Sequence, residues 1–251
     1  MYQLRGRLGR WGFGEIYEAV HTESGEVRML KLVRGRRATD PRVRKHLIRE
    51  HALAAKVTHP NVMKVKAFER TPGLGIHLVL ERTEGDTLAE LLKKGVTFLP
   101  PSAIEICLGV ANGLHVCHQA GFGHYELGTE TIFLQKTGLS TPHPLIMGFG
   151  FSPPENTEEP LDALPLEALP YAAPERRNSR KWDFRADVYS VCAVLMHLLI
   201  NHAPPPHGWQ QLPELPSAAS ALAKHLYDIA VKGLAADPAQ RIQNIEDLVS
   251  L

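Results

Sequence analysis

The chain has 251 residues, of which 44% are hydrophobic, and its 28 Lys and Arg nearly balance its 27 Asp and Glu. This length and composition are enough to build one large globular domain or two packed lobes. The neutral balance of charge argues against a nucleic-acid-binding or anionic-membrane surface that acts through net electrostatics.

The apolar segments and the cysteines bear on where in the cell the chain is expected to be found. The longest apolar run, 188–200, is too short to cross a bilayer, and the N-terminus does not resemble a signal peptide. Cys107, Cys117 and Cys192 lack the close pairing of a metal or redox motif and are predicted to be buried free thiols. We therefore expect a cytoplasmic domain with no direct membrane insertion.

The first third of the chain alternates β-like runs with turn signals, which predicts a small, mostly antiparallel sheet. The runs cover 2–9, 16–20, 27–33, 63–68 and 76–80. Between the third and fourth runs, Asp40 and Pro41 are typical of a helix start, and apolar residues then recur at helical spacing until Pro60. One helix is thus predicted among five strands.

From Gly85 onward the pattern becomes helical, and two proline-rich stretches, 151–170 and 203–216, interrupt it. The predicted helical runs cover 87–94, 101–119, 184–200, 218–234 and 242–251. This change of class predicts an α+β chain with two lobes in one domain, 1–83 and 84–251.

Several short motifs follow one another in a set order. They are the glycine-rich Leu8–Tyr17, Leu30-Lys31, Glu50 on the predicted helix, His59-Pro60-Asn61, Leu80-Glu81-Arg82, His124-Tyr125-Glu126-Leu127, Phe149-Gly150, Tyr171–Glu175, Asp187–Ser190 and Arg241. Together they resemble the landmarks of the bacterial-type Ser/Thr protein kinases over nearly the whole chain. The resemblance implies a bilobal kinase-like fold, with a five-stranded lobe containing one helix and a larger helical lobe.

The same resemblance shows changes at five positions that serve phosphoryl transfer. Glu126 stands where an aspartate orients the attacking hydroxyl, and Gly148 and Thr131 stand where an aspartate and an asparagine hold metal ions. Gly128 replaces the loop lysine, and Ala168 replaces a threonine of the activation segment. Because divalent cations need oxygen ligands, we expect no metal site.

The implied nucleotide pocket is altered as well. Its positions are Gly9, Trp11, Gly14, Met29, Lys31, Glu50, Glu81 and Phe133. Trp11 occupies a position that is normally glycine, and Met29 and Phe133 enlarge the roof and floor of the adenine space. We expect these two side chains and Ile16 to fill that space, with the alternative that Met29 bends away. No cofactor is therefore expected, although binding of ATP without metal stays open.

The retained motifs have structural interpretations. The resemblance pairs Lys31 with Glu50, either as a phosphate-binding unit or as a brace between strand and helix, and Glu175 with Arg241. It also stacks Val65, Ala54, Phe149 and His124 in a column anchored on Asp187.

These observations lead to two functional interpretations. The first is a pseudokinase that is not an enzyme and acts as a signalling scaffold or allosteric regulator. Its protein partner would be an active kinase or another domain of the same polypeptide, docked near Trp209 unless that side chain folds back. The second is a weak or atypical ATP-dependent phosphotransferase, or a metal-independent nucleotide sensor, which uses Lys31 and the hinge.

Overall fold

A computed structural model describes residues 1–11, 14–33, 35–138, 141–151, 169–178, 183–209 and 211–251. It gives the backbone but not the side chains of residues 11, 36, 151, 169, 177 and 178. All structural statements below concern this part of the chain.

The N-terminal part forms the predicted five-stranded sheet. Its strands are β1 (Tyr2–Trp11), β2 (Gly14–His21), β3 (Val27–Val33), β4 (Val65–Thr71) and β5 (Gly75–Leu80). They pair antiparallel in the order β1-β2-β3-β5-β4, so β3, which carries Lys31, lies at the centre. Successive side chains of a strand point to opposite faces of the sheet. Met29, Lys31 and Val33 thus share one face, which is the face toward the helix and the cleft.

Helix α1 (Pro41–Ala54) packs on this sheet through Val43, His46, Leu47 and Glu50, which are buried. The Asp40 side chain caps its start by accepting a hydrogen bond from the Arg42 N–H at 2.9 Å. The helix ends before Val57, earlier than the apolar spacing predicts, because the Lys56 N–H turns back to the Leu53 carbonyl at 3.0 Å.

The C-terminal part is mainly helical, as predicted. Its helices are α2 (Leu88–Lys93), α3 (Pro100–Gln119), α4 (Pro174–Asn178), α5 (Arg185–Ile200), α6 (Ala221–Gly233) and α7 (Ile245–Ser250). Helices α6 and α7 begin three residues later than predicted, because the side chains of Ser220 and Asn244 cap them. Helix α5 is buried along most of its length and forms the centre of this lobe.

A second sheet joins the two parts and was not predicted. It consists of β6 (Gly85–Thr87), β7 (Ile132–Gln135) and β8 (His143–Ile146), all antiparallel. Gly85 has φ +152°, and a Cβ there would overlap the Leu134 carbonyl. Only glycine allows this close approach, which brings Thr87 beneath β1.

The state of the three cysteines agrees with the prediction of buried free thiols. Cys107, Cys117 and Cys192 are free and buried. In the portion that the structure describes, we find no helix with the length and apolar character needed to cross a membrane.

Candidate nucleotide and catalytic-loop site

The buried ion pair between Lys31 and Glu50 is the centre of the cleft. Lys31 Nζ donates to both carboxylate oxygens of Glu50, at 2.7 and 2.6 Å, and both residues are 1% exposed. Glu50 Oε1 also accepts a hydrogen bond from the Gly148 N–H at 3.0 Å. Burial lowers the pKa of Lys31, and the Glu50 carboxylate opposes that change. The pair thus joins β3, α1 and the segment after β8.

A histidine that the sequence analysis missed lies against this pair. His46 is buried one turn before Glu50 on α1, and its Nε2 lies 3.8 Å from Glu50 Oε2. Burial, followed by the nearby Lys31 charge, places the pKa of His46 well below its usual value, so the ring is neutral. Its ring also packs on Gly150, where any Cβ would overlap it. The four-residue spacing from Glu50 was the available signal.

The catalytic loop is fixed by Asp187 on α5. Asp187 is fully buried and accepts hydrogen bonds from the backbone N–H groups of His124 and Tyr125, each at 2.7 Å. It also bonds His118 Nε2 at 2.8 Å. These bonds hold Tyr125 at φ +63°, a conformation that a tyrosine rarely adopts.

Glu126 follows in the same loop and is buried. Burial raises its pKa well above the usual value for a glutamate, although the nearby Arg176 charge opposes that change. Its Oε1 is enclosed without a hydrogen-bond partner among the described residues. A carboxyl group in this state gains a proton easily and ionises only as the pH rises.

Gly148 and Thr131, which stand where the family holds metal ions, do not suit magnesium. Gly148 has no side chain, and the Thr131 hydroxyl already bonds both the N–H and the carbonyl of Gly128 at 3.0 Å. Among the described residues, no three His, Cys, Asp or Glu side chains lie close enough together to hold a metal. Gly148 keeps φ +101°, which favours glycine.

The residues predicted to line the adenine space belong to one apolar cluster that spans both lobes. Ile16 and Met29 from the sheet and Phe133 from β7 are fully buried in it, and Leu80 and Leu145 are among its other members. Gly9 on β1 lies so close to Thr87 that an added Cβ would stand 2.9 Å from the threonine methyl group. The glycine-rich strand thus rests directly on β6.

Two further positions of the predicted nucleotide pocket lie at the start of β2 and directly after β5. Gly14 opens β2 and pairs with Trp11 and Val33. The Glu81 N–H donates to the Lys64 carbonyl at 3.0 Å, and its side chain points to solvent near Lys66. The Trp11 side chain lies outside the described residues, as does Ala168.

The predicted column of stacked side chains is present in part. The rings of Phe149 and His124 lie 5.0 Å apart, and His124 Nε2 bonds the Met147 carbonyl at 2.9 Å. Val65 packs with the apolar cluster of the sheet lobe, whereas Ala54 is buried at the end of α1. Leu53, which the sequence analysis did not assign, shares the core cluster of Phe149.

The predicted pair at the end of the activation segment is formed. Arg241 donates to both carboxylate oxygens of Glu175, at 2.8 and 3.0 Å, and its side chain is fully buried. Trp209 and Leu212 are partly buried against the core of the helical lobe, which corresponds to the alternative in which Trp209 folds back.

A hydrogen-bonded set near the end of the activation segment was also missed. The Tyr171 hydroxyl bonds His197 Nδ1 at 2.8 Å and accepts from the Thr129 hydroxyl at 3.3 Å. Burial raises the pKa of Tyr171 to about 12, and burial lowers the pKa of His197 to about 4. Both groups are therefore neutral near pH 7, so this set fixes the segment without charge.

Comparison with known proteins identifies the family. A model described as "Protein kinase domain" matches residues 2–249, so the chain belongs to the protein kinase domain family. Serine/threonine-protein kinase PknH of Mycobacterium tuberculosis is 27% identical over 98% of this chain and 40% of its own length. Serine/threonine-protein kinase PknE of the same organism is 29% identical over 84% of this chain and 36% of its own length. The chain thus spans less than half the length of these relatives.

A solved structure shows the same fold. The kinase domain of Mycobacterium tuberculosis PknI superposes with a TM-score of 0.75 at 23% identity, covering 99% of this chain and 94% of that one. This likeness and the five-stranded sheet with its helical lobe confirm the predicted protein kinase fold.

The prediction that the chain is not an enzyme is wrong. Its relatives are named serine/threonine-protein kinases over most of its length, and the family model covers nearly all of it, which points to an enzyme. The prediction inferred the loss of all activity from the altered residues at positions 126, 128, 131, 148 and 168.

Proposed function

We propose that this chain is an atypical ATP-dependent phosphotransferase of the Ser/Thr protein kinase family, which transfers phosphate slowly. The observation that carries the proposal is the Lys31–Glu50 pair docked on the Gly148 N–H. In this family, phosphoryl transfer requires an ion pair between the strand lysine and the helix glutamate. The pair holds the lysine so that it faces the phosphates of ATP. A buried ion pair is costly to maintain, so its presence favours a role beyond bracing.

The roles of the site residues follow from their positions. Lys31 would neutralise phosphate oxygens, and Glu126 would accept the proton of the substrate hydroxyl. Since the residues at 131 and 148 do not fit metal ions, no step is assigned to a protein-bound metal. The site lacks the charge neutralisation that bound metal ions would supply, and the added methylene of Glu126 displaces its carboxylate. Both changes slow the reaction, and a displacement of about 1 Å alone can lower the rate on the order of a hundredfold.

Transfer of radiolabelled γ-phosphate from ATP to the chain itself and to a generic protein substrate tests the proposal. We expect slow incorporation whose rate increases with pH, because Glu126 works only when ionised and burial raises its pKa. The variant Glu126→Gln should lose the pH dependence together with most of the rate.

The matched control is Glu130→Gln, which removes a neighbouring carboxylate on the same loop and should keep the pH dependence. Incorporation that is absent at every pH, or that is equal in wild type and Glu126→Gln, contradicts the proposal.

A second candidate function is a signalling scaffold or allosteric regulator that binds a protein partner, either an active kinase or another domain of the same polypeptide. The closed cleft favours it, because Ile16, Met29 and Phe133 are fully buried together and Gly9 rests on Thr87. A lobe arrangement held by apolar contacts presents a fixed surface without nucleotide. Nucleotide entry would then require the lobes to separate.

The variant Met29→Ala tests whether the apolar cluster limits nucleotide binding. We expect it to lower thermal stability, since truncating a buried methionine costs about 2–5 kcal/mol. Saturating ATP should nevertheless raise its midpoint more than that of wild type. Ligand at about a hundred times its Kd adds roughly 2.7 kcal/mol, or on the order of 5–10 °C here.

Each measurement is made with and without Mg²⁺, which shows whether nucleotide binding depends on the metal. The control is Met63→Ala, a buried methionine of the same cluster outside the predicted nucleotide pocket. An equal ATP shift in wild type and Met29→Ala would contradict occlusion by Met29.

A further inference from the structure

Arg176 on α4 is a buried cation to which the proposed reaction assigns no role. It is 3% exposed, and an arginine is rarely buried to this degree unless it lies near opposite charge. Burial lowers its pKa, and the group that opposes this change most is Glu126, followed by Asp187, Tyr125 and Glu175. Three carboxyl groups, from the catalytic loop, α5 and α4, therefore act on this one guanidinium.

The ring of Tyr125 contacts the guanidinium of Arg176 from the catalytic loop. Arg176 Cζ lies 5.3 Å from the centre of that ring, within the distance at which a cation is attracted to an aromatic face. The ring is closely packed in turn, because Phe184 stacks on it at 6.4 Å and a Cβ on Gly123 would stand 2.7 Å from its Cζ atom. Since Asp187 fixes the Tyr125 backbone, the ring holds the guanidinium beside the loop.

Glu126, the next residue of the loop, needs a positive charge if it is to ionise. It is 6% exposed, and its Oε1 has no hydrogen-bond partner among the described residues. A carboxylate removed from water in this way is strongly disfavoured unless a cation lies close to it. Burial raises the pKa of Glu126, and the charge that opposes this change is that of Arg176.

We propose that Arg176 is a positioning residue for Glu126: its guanidinium, held over the Tyr125 ring, supplies the buried positive charge that lets the Glu126 side chain exist as a carboxylate. The carboxylate is the form that can accept a proton from a hydroxyl group. The consequence for catalysis rests on the proposed function, in which Glu126 accepts the proton of the substrate hydroxyl. Arg176 acts through Glu126 and is assigned no contact with the substrate.

A purely structural role for Arg176 leads to a different expectation. An arginine that only tied α4 to the catalytic loop would affect stability, and its removal would leave the ionisation of Glu126 as it is. A role through charge requires a positive group at position 176, so lysine should serve there and glutamine should not. The two roles therefore differ in the titration of one carboxyl group.

The test is the titration of Glu126 in the full chain, followed by carbon NMR of glutamate side chains labelled at the carboxyl carbon. The resonance of Glu126 is identified by its absence in Glu126→Gln. We expect Arg176→Gln to move the midpoint of this titration to higher pH, because the ionised form loses its cation. Arg176→Lys should stay close to wild type, because lysine keeps the charge and can also lie over an aromatic ring.

The matched control is Arg241→Gln. Arg241 is also 3% exposed, and its Cζ lies 5.2 Å from the centre of the Tyr189 ring, but its guanidinium pairs with Glu175. This variant should lower stability and leave the midpoint of Glu126 in place. If Arg176→Gln does not fold, Tyr125→Leu removes the ring and keeps the arginine, and it should move the midpoint in the same direction by a smaller amount.

The rate of phosphate transfer is a second readout. An opposite charge near a carboxyl group typically changes its ionisation constant about tenfold or more, so Arg176→Gln should transfer phosphate about tenfold or more slowly at neutral pH and recover as the pH rises. A wild-type chain that transfers no phosphate, although the midpoint moves as expected, contradicts the proposed function and supports the role of Arg176 toward Glu126. A midpoint that is equal in wild type and Arg176→Gln, or that moves as far in Arg176→Lys or Arg241→Gln, overturns that role.

Discussion

The variant Lys31→Met should lower the free energy of unfolding by about 3–5 kcal/mol, because it leaves the Glu50 carboxylate buried without its cation. Methionine matches the lysine stem in length, so little of the effect comes from lost packing. For a domain of this size the midpoint of thermal denaturation should fall on the order of 10 °C. Urea denaturation of wild type and variant at neutral pH measures the difference.

The double variant Lys31→Met/Glu50→Leu should recover most of that loss, because apolar residues of similar volume replace a buried pair with little change in stability. The control is Arg5→Met, which breaks the exposed pair with Glu18, whose closest atoms lie 3.8 Å apart. Exposed pairs contribute about 0–1 kcal/mol. A loss in Lys31→Met no larger than in Arg5→Met would show that the buried pair does not hold the lobes.

The same variants separate stability from chemistry. Lys31→Met and the double variant both lack the ammonium group that would face the phosphates, so neither should transfer phosphate. Only the first should be strongly destabilised. If the double variant is stable and still transfers phosphate, the assignment of Lys31 is wrong, whatever the stability data show.

The fold could be predicted because each element carries its own periodic pattern. The five strands and the helix from Pro41 follow from alternation and helical spacing. The second sheet could not be predicted, because its strands have only three or four residues and β6 depends on Gly85 approaching the Leu134 carbonyl of β7. Such a contact has no local signature. Helix starts at Ala221 and Ile245 were missed by three residues because Ser220 and Asn244 act as caps.

The part of the candidate site that could be predicted consists of residue pairs whose two members both lie in the ordered motifs. Lys31 with Glu50, and Glu175 with Arg241, are joined as the resemblance implied. His46 was missed because its role depends on the packing of α1 against Gly150. The contact between Gly9 and Thr87 was missed because these two residues lie far apart in the sequence and belong to different lobes.

The functional error has a physical origin too. The prediction took the simultaneous change of five groups of one site as the loss of all activity. Groups that act as one unit are not additive, so the effect of five joint changes cannot be obtained by adding single losses. The structure keeps the Lys31–Glu50 pair and the loop anchored on Asp187, and phosphoryl transfer depends mainly on positioning.

The variant Asp187→Ala should be destabilised by about 3–5 kcal/mol. It leaves the buried N–H groups of His124 and Tyr125 without an acceptor, and each such group costs about 1–3 kcal/mol. It also removes the bonds that hold Tyr125 at its positive φ. Asp187→Asn should fall between wild type and alanine, because its amide offers one acceptor oxygen instead of two.

The pH dependence provides an independent check. Burial alone would raise the pKa of Asp187, but the hydrogen bond and charge of His118, followed by the His124 contacts, hold it below its usual value. The lowered folded-state pKa means that its stabilising contribution is complete above the usual aspartate range and is lost as the pH falls through the lowered pKa. The stability difference between wild type and Asp187→Asn should therefore be largest near neutral pH and shrink in acid.

The matched control is Asp183→Ala, just before the same helix, whose carboxylate accepts from the Arg185 N–H and is partly exposed. Loss of one such partly exposed hydrogen bond costs about 1 kcal/mol. If Asp187→Ala is no less stable than Asp183→Ala, the catalytic loop is held by other contacts. If Asp187→Ala is strongly destabilised but Asp187→Asn keeps both stability and transfer, the loop needs an acceptor at this position but not a charge.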